Sequence, residues 1–151
     1  MNARIATAVI GATAVLAAPA VADAKVTRLT LTEAVTAQLV VVDYPPTQSG
    51  EGQPPTAGDV IVGQADLLRG NKKVGRADFM GAITTFPLIE FYGTFTLPGG
   101  KVSVVDVADL SASKQTFAIV GGTGRYAGAR GVVKETRVAE GRTKDVFTIV
   151  T

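Results

Sequence analysis

The chemistry open to this chain is limited by the side chains that it lacks. Its 151 residues contain no His, no Cys and no Trp. Without Cys there is no disulfide, thiolate nucleophile, iron–sulfur cluster or zinc finger, and without His there is no imidazole base, catalytic triad or His metal site. Acid–base chemistry is left to Asp, Glu, Lys, Tyr and Arg, and we expect no metal site and no cofactor. The net charge of +2 is too small for electrostatic nucleic-acid binding.

Glu33 is the strongest candidate for a catalytic acid. It falls on the apolar side of an alternating segment, together with Leu29, Leu31, Val35 and Leu39. A carboxyl held in apolar surroundings has a raised pKa, which suits a general acid. The alternative is that the strand changes phase, so that Glu33 meets solvent or an arginine such as Arg28 or Arg137.

Two further charged residues are candidates for the same site. Asp106 shares a face with Val102, Val104 and Ala108, and its alternative is a cross-strand ion pair near a barrel rim. Arg130 carries a planar fork of donors that could pair an interior carboxylate or bind a ligand anion. Its alternative is an outward structural salt bridge.

Aromatic side chains are candidates for ligand contacts. We single out Tyr92 and Phe117 as ligand-binding residues. The alternative for the aromatic residues is an ordinary hydrophobic core. It would be made of Phe79, Phe91, Phe95, Phe117 and Phe147.

Strands must position all of these residues, because apolar and polar residues alternate along most of the chain. The pattern predicts about eight strands and no helical stretch. They are Val26–Leu39 (extending as far as Val42), Gly58–Arg69, Lys73–Thr85, Leu88–Leu97, Lys101–Ala108, Gln115–Val120, Gly131–Ala139 and Thr143–Val150. Eight antiparallel strands fit an all-β closed barrel that can enclose a small ligand. A two-sheet sandwich has the same periodicity and stays open as the alternative.

The segment Asp43–Ala57 interrupts this pattern with two Pro-Pro pairs and two glycines. Its length is typical of either a functional lid or a mobile loop.

Residues 1–24 have the pattern of a secretory signal peptide. Arg4 precedes an uncharged stretch rich in Ala and Val, and Ala22-Asp23-Ala24 fits a small-x-small cleavage site, with Ala18-Pro19-Ala20 as its rival. Cleavage after Ala24 leaves one domain, residues 25–151. The alternative is an uncleaved membrane anchor, although the stretch is short and Ala-rich for a span. We expect an exported protein, secreted or periplasmic, with no stable membrane anchor after cleavage.

The segment Phe117–Gly131 is rich in glycine and has two interpretations from its residues alone. An apolar strand followed by Gly-Gly-Thr-Gly imitates a dinucleotide-binding fingerprint, but that site needs a following helix. The residues that follow favour a strand instead. The structural interpretation is a sharp connection between two strands, with glycines at positive φ. Its motif residues are Gly121, Gly122, Thr123, Gly124, Gly128 and Gly131.

The run Val120–Gly131 also resembles a family signature, G-G-T/S-G-x-F/Y-x-x-A/V-x-G, of the allene oxide cyclase and dirigent barrel superfamily. Gly58-Asp59 after a long polar loop, and the strand–turn–strand Gly93–Val102, agree with it in order. The resemblance implies an eight-stranded antiparallel barrel with an apolar cavity, usually assembled as a trimer. It places Thr32-Glu33 roughly where dirigent proteins carry a His-Asp pair. It also matches Arg130 to their A-R-G element and puts Arg125 where some of them have an acid.

Two functions follow from this resemblance. The first is an exported barrel that binds a small hydrophobic molecule and directs its cyclisation or stereoselective coupling. Such a barrel would act by confinement, which requires neither His nor Cys. The second is a non-catalytic binding or structural barrel without enzymatic activity.

The homotrimer that the resemblance implies is testable in solution. Size-exclusion chromatography with light scattering is expected to give three times the mass of one chain. A monomer at micromolar concentration would contradict it.

Overall fold

The barrel is closed by eight antiparallel strands, each paired with its neighbours along the chain and the last with the first. The computed structural model describes residues 24–41 and 55–151. Its strands are β1 Val26–Val41, β2 Val60–Arg69, β3 Lys72–Thr85, β4 Leu88–Leu97, β5 Gly100–Asp109, β6 Lys114–Gly122, β7 Arg130–Ala139 and β8 Arg142–Val150. The predicted barrel is therefore confirmed over the sandwich. The predicted signal peptide, up to residue 23, and most of the Pro-rich segment lie outside the described residues.

Strand β1 closes the barrel by pairing on both sides. Its first part, Val26–Ala34, pairs with β8, and its second part, Thr32–Val41, pairs with β2. A register shift between Val35 and Ala37 interrupts the alternation. As a result the predicted apolar face does not continue past the shift. Leu39 is 60 % exposed, and Gln38, which is also exposed, lies at the edge of the cavity instead.

Large apolar side chains fill one end of the barrel, which we call the closed end. It lies at the β2–β3 and β4–β5 turns and at the β6–β7 connection. The Phe95 and Phe147 rings meet edge to face there, with centroids 4.9 Å apart. Tyr126 enters from the β6–β7 connection and is buried. Burying each such side chain stabilises the fold by roughly 1.5–3 kcal/mol.

The glycine-rich segment forms the β6–β7 connection of the closed end. A single 3₁₀ turn, Gly124–Tyr126, lies between the two strands. The Arg125 amide donates to Gly99 O at 2.8 Å, and the Thr123 amide donates to Lys101 O at 2.9 Å. No α-helix follows the glycines, so the dinucleotide-binding interpretation is wrong.

No helix in the described part of the chain is long and apolar enough to cross a membrane.

The signature glycines differ in how much room surrounds them. At Gly131, φ is +131° and an added Cβ would overlap the Thr148 carbonyl oxygen. At Gly124, φ is +61° and a Cβ would overlap the Gly99 carbonyl oxygen. At Gly121, by contrast, a Cβ would meet no atom within 4 Å. Substitution by alanine is therefore expected to lower the free energy of unfolding by different amounts at these three positions.

Gly131→Ala and Gly124→Ala are each expected to lower the free energy of unfolding by more than about 2 kcal/mol, because backbone must move at a left-handed position. Gly121→Ala is the matched control and should change it by less than about 0.5 kcal/mol. Urea denaturation followed by circular dichroism measures all three. Equal effects at the three positions would contradict this account.

Candidate functional site

The other end of the barrel, which we call the open end, contains a cavity of about 600 Å³. It lies at the β3–β4, β5–β6 and β7–β8 turns. Its floor is apolar and consists of Phe79, Ile89, Phe91, Ala108 and Phe117. One wall is polar and consists of Glu33, Glu135, Arg137 and Thr143. Further out, Gln38, Glu140 and Arg142 surround the mouth.

Small inward-facing residues leave this half of the barrel hollow. A Cβ added at Gly63 would overlap the Phe79 ring, so that ring lies flat against the β2 backbone. A Cβ at Gly81 would lie 2.6 Å from Ile89 Cδ1, and one at Gly93 would lie 3.0 Å from the Phe91 ring. Side chains that lie along the wall do not reach the barrel axis, and the space in front of them stays empty.

Three of the floor residues form a connected aromatic surface. The Phe79 and Phe91 rings are stacked with centroids 6.1 Å apart, and Phe91 and Phe117 are 4.7 Å apart and tilted. Such offset contacts add about 0.5–1.5 kcal/mol to the area that the rings bury. The cavity thus has a fixed apolar floor on which a flat or extended molecule can lie.

Three carboxyl groups lie close together on the neighbouring strands β7, β8 and β1. Two of them are in the polar wall and one is buried behind it. Strand register places Glu135 opposite Asp145, and Glu33 opposite Thr143. Asp145 is fully buried, and its Oδ1 accepts a hydrogen bond from Thr143 Oγ1 at 3.0 Å. Glu33 and Glu135 both line the cavity. We call Glu33, Glu135 and Asp145 the carboxyl cluster.

Burial in the barrel raises the pKa of every member of the cluster. It raises the pKa of Glu33 to about 9, with added repulsion from Asp145 and Glu135. It raises the pKa of Glu135 to about 7, helped by Asp145 and opposed by Arg137. It also raises the pKa of Asp145, to about 6, against hydrogen bonds from Thr143 and Glu33 that favour ionisation. Glu33 therefore keeps its proton at neutral pH, while Asp145 is mostly ionised.

Asp145 Oδ2 is buried and has no hydrogen-bond partner among the ordinary donors around it. A hydrogen bond between the Glu33 and Asp145 side chains is among the causes of both pKa shifts, and two carboxyl groups can share one only through a proton. We infer that a protonated Glu33 is the donor to Asp145. The arrangement is a protonated acid facing an apolar cavity, with a buried carboxylate behind it. No group of acidic residues in the described ranges is placed to hold a metal ion.

Comparison with known proteins agrees with this geometry. The family model for the allene oxide cyclase barrel-like domain matches residues 45–150. The chain belongs to the allene oxide cyclase barrel-like family. Comparison with the curated proteins gives no match.

Solved structures share the allene oxide cyclase-like fold at low sequence identity. A pyocyanin demethylase is 21 % identical with a TM-score of 0.69, over 83 % of this chain and 100 % of its own. The pterocarpan synthase dirigent protein GePTS1 is 18 % identical with a TM-score of 0.67, over 89 % and 94 %. The Diels-Alderase AbmU from Streptomyces koyangensis is 17 % identical with a TM-score of 0.63, over 87 % and 70 %. At these identities the likeness establishes the fold alone.

Of the residues predicted for the site, Glu33 and Phe117 line the cavity and three others do not. Tyr92 points outward and is 45 % exposed. Arg130 is exposed and donates to the Val120 and Ala129 carbonyl oxygens. The structure therefore corrects the expectation that Tyr92 and Arg130 face a ligand in the barrel.

Asp106 is also absent from the cavity lining, although the alternation places it on the inner face. The register between β5 and β6 ends at Val105 and Ala118, so the strands separate there. Asp106 Oδ1 accepts from the Val107 amide at 2.9 Å, and Oδ2 accepts from the Ala118 amide at 3.3 Å. Its carboxylate replaces missing ladder bonds, which corrects the expectation that Asp106 faces the barrel cavity.

Glu135 and Asp145 are not among the predicted site residues, although the alternation pattern carries a signal for both. Asp145 alternates with Phe147 and Ile149, and Glu135 alternates with Val133, so each lies on an apolar face as Glu33 does. What the sequence could not supply is the register that brings the three carboxyl groups together.

The cluster predicts an unusual pH dependence of stability. Because the folded pKa of Glu33 lies above its ordinary value of 4.5, its stabilising contribution is complete below pH 4.5 and is lost as the pH rises towards 9. Between pH 5.5 and 8.5 the free energy of unfolding is expected to fall by on the order of 2–4 kcal/mol.

Glu33→Gln keeps a donor for Asp145 without an ionisable group, so it should remove most of this loss. Glu90→Gln, at an exposed position on β4, is the control and should leave the slope unchanged. Thermal melts at several pH values measure the effect. A wild-type barrel that is more stable at pH 8.5 than at pH 5.5 would disprove the assignment.

Proposed function

We propose that this barrel is an exported protein that binds a small, mainly apolar molecule in its cavity and directs its cyclisation or coupling. One observation carries the proposal, namely the position of the Glu33 carboxyl on the wall of an apolar cavity, where burial raises its pKa to about 9. A general acid with a raised pKa holds its proton at neutral pH and can release it to a bound oxygen atom.

Confinement and proton transfer would act together. The aromatic floor holds the molecule in one conformation, so the reacting atoms stay close and the product is defined. Glu33 then donates its proton to a ligand oxygen as the bond from that oxygen to carbon breaks. The electron pair of that bond leaves with the oxygen, and a neighbouring π bond or hydroxyl supplies the pair that forms the new bond.

The carboxyl cluster would return Glu33 to its starting state. After donation, Glu33 is a carboxylate beside the Asp145 carboxylate in a partly desolvated site. Repulsion between these two groups favours recapture of the proton that the product releases when its new bond is complete. The reaction is then an isomerisation or coupling with no net consumption of protons by the protein.

Similar structures support the reaction class without deciding it. The dirigent protein among them is named a pterocarpan synthase, and another is named a Diels-Alderase. These names describe ring-forming or coupling proteins that share this fold. They support the proposal by showing that barrels of this shape host such reactions.

The proposal includes export and a homotrimer. Barrel hydrogen bonding begins at Lys25, whose amide donates to Thr151 O at 2.8 Å, so cleavage after Ala24 would remove no part of the barrel. For the trimer, the outer wall carries an exposed apolar surface that a second copy could cover. It comprises Met80, Tyr92, Val107 and Val120.

A non-catalytic carrier is the second candidate function. It is favoured by the position of Asp106 and Arg130, which lie outside the cavity and leave Glu33 as the one predicted catalytic residue within it. The two functions differ in whether Glu33 matters for turnover or only for stability.

Filling the cavity should abolish binding of an apolar probe. Ala108→Phe places a ring in the space above the floor, and we expect at least tenfold weaker binding of N-phenyl-1-naphthylamine, measured by its fluorescence. Thr116→Phe, on the exposed face of β6, is the matched control and should bind as wild type does. Equal binding by both variants would place the probe elsewhere and contradict the proposal.

A natural ligand can then separate the enzyme from the carrier. Native mass spectrometry of protein purified from its source should show a bound small molecule that Ala108→Phe lacks. Glu33→Gln is expected to bind that molecule but to convert it at least about 100-fold more slowly, since general acids contribute about 10²–10⁴-fold. Unchanged conversion would rule out Glu33 as the acid, and no conversion by wild type would favour the carrier.

A further inference from the structure

Two arginines at the cavity mouth form no ion pair with a carboxylate of the described residues. Arg137 lies on β7 and Arg142 on β8, and both line the cavity and are exposed. Within residues 24–41 and 55–151, the ion pairs are Lys73–Asp66 and Arg76–Asp78, both on the outside of the barrel. Within those ranges, the charges of Arg137 and Arg142 at the mouth are therefore not compensated by a direct ion pair.

Arg137 is held in place by the backbone of the β5–β6 loop. Its amide donates to Ser113 O at 2.9 Å, and its Nη2 donates to Leu110 O at 2.9 Å. A guanidinium has five N–H donors, so this contact fixes its position and leaves most donors free. Because this anchor is neutral, the charge of Arg137 acts on the Glu135 carboxyl, whose pKa it lowers, and on a ligand at the mouth.

The charge of the cavity is divided between its depth and its mouth. Arg137 and Arg142 lie at the mouth with one carboxylate, Glu140, which is exposed on the β7–β8 turn. Deeper in the cavity, the raised pKa values of Glu33 and Glu135 reduce their negative charge near neutral pH, Arg137 offsets part of the charge of Glu135, and the Asp145 carboxylate is buried behind the wall. The arginines thus outnumber the carboxylate at the mouth, and the wall behind them repels an anion less than three ionised carboxyl groups would.

We propose that Arg137 and Arg142 form an anion site and that the ligand is amphipathic, with an apolar body on the aromatic floor and one anionic group at the mouth. A carboxylate, a sulfonate or an ionised phenol has the required chemistry, since a guanidinium fork matches planar or multi-oxygen anions. The proposal rests on the proposed function in one respect only, that the cavity binds apolar molecules. It does not depend on catalysis.

A matched pair of fluorescent probes tests the anionic group directly. 8-Anilinonaphthalene-1-sulfonate and N-phenyl-1-naphthylamine share one aromatic scaffold and differ by the sulfonate. At low salt the wild-type barrel should bind the sulfonate at least tenfold more tightly, and the preference should shrink as salt screens the charges. Each probe should displace the other, and Ala108→Phe should weaken both, which places them in the same cavity.

Substitutions of single charged residues show which side chains cause the preference for the sulfonate probe. Arg142→Gln and Arg137→Gln should each reduce sulfonate binding about three- to tenfold and leave the neutral probe within twofold. Glu140→Gln should act in the opposite direction and strengthen sulfonate binding about two- to threefold. Lys134→Gln, which removes one positive charge from the exposed outer face of β7, is the control and should change neither probe.

The outcomes separate this inference from the proposed function. Equal binding of both probes, or an equal effect of Lys134→Gln and Arg142→Gln, would overturn the anion site while leaving the apolar cavity in place. If neither probe binds, the proposed function fails with it. Because Arg137 also anchors a loop, Arg142 and Glu140 decide the matter should Arg137→Gln lose stability.

Discussion

The open half of this barrel depends on how two adjacent carboxyl groups, Glu33 and Asp145, are accommodated in its interior. Asp145 is fully buried on β8 and its Oδ2 has no partner among ordinary donors, so we assign the acid form of Glu33, whose pKa burial raises, as the donor to it. If both were ionised, two adjacent negative charges would lie in a partly desolvated interior, which proteins avoid by neutralising one of them. The same proton thus stabilises the wall of the cavity and gives that wall its acidity.

Structure and chemistry are divided between the two ends of the barrel. At the closed end, Phe95, Phe147 and Tyr126 fill the interior, and the glycine-rich connection allows the backbone to pass close to its neighbours. At the open end, inward-facing small residues leave space and polar residues face it. The signature that resembles a family motif lies at the closed end, so it indicates the fold without touching the site.

Alternation along the chain could predict the strands and the inward position of Glu33, because both depend on which side of a strand a residue faces. It could not distinguish a closed barrel from a two-sheet sandwich, and the family resemblance of the glycine-rich segment favours the barrel. The remaining members of the cluster require the register of β7, β8 and β1, which arises from pairing between distant segments. For Asp106, the alternation gives a wrong prediction. It lies on the predicted inner face, but its strand separates from β6 there, and the carboxylate bonds to free amides instead of facing the cavity.

The pairing of Lys25 with Thr151 places both ends of the folded domain beside each other at the closed end. The mouth, with its arginines, is at the far end of the barrel. A tether at either terminus, to a surface, a matrix or another domain, would therefore leave the entrance facing away from the attachment point. The same adjacency makes the chain suited to circular permutation, with new ends opened at a turn such as Gly70-Asn71.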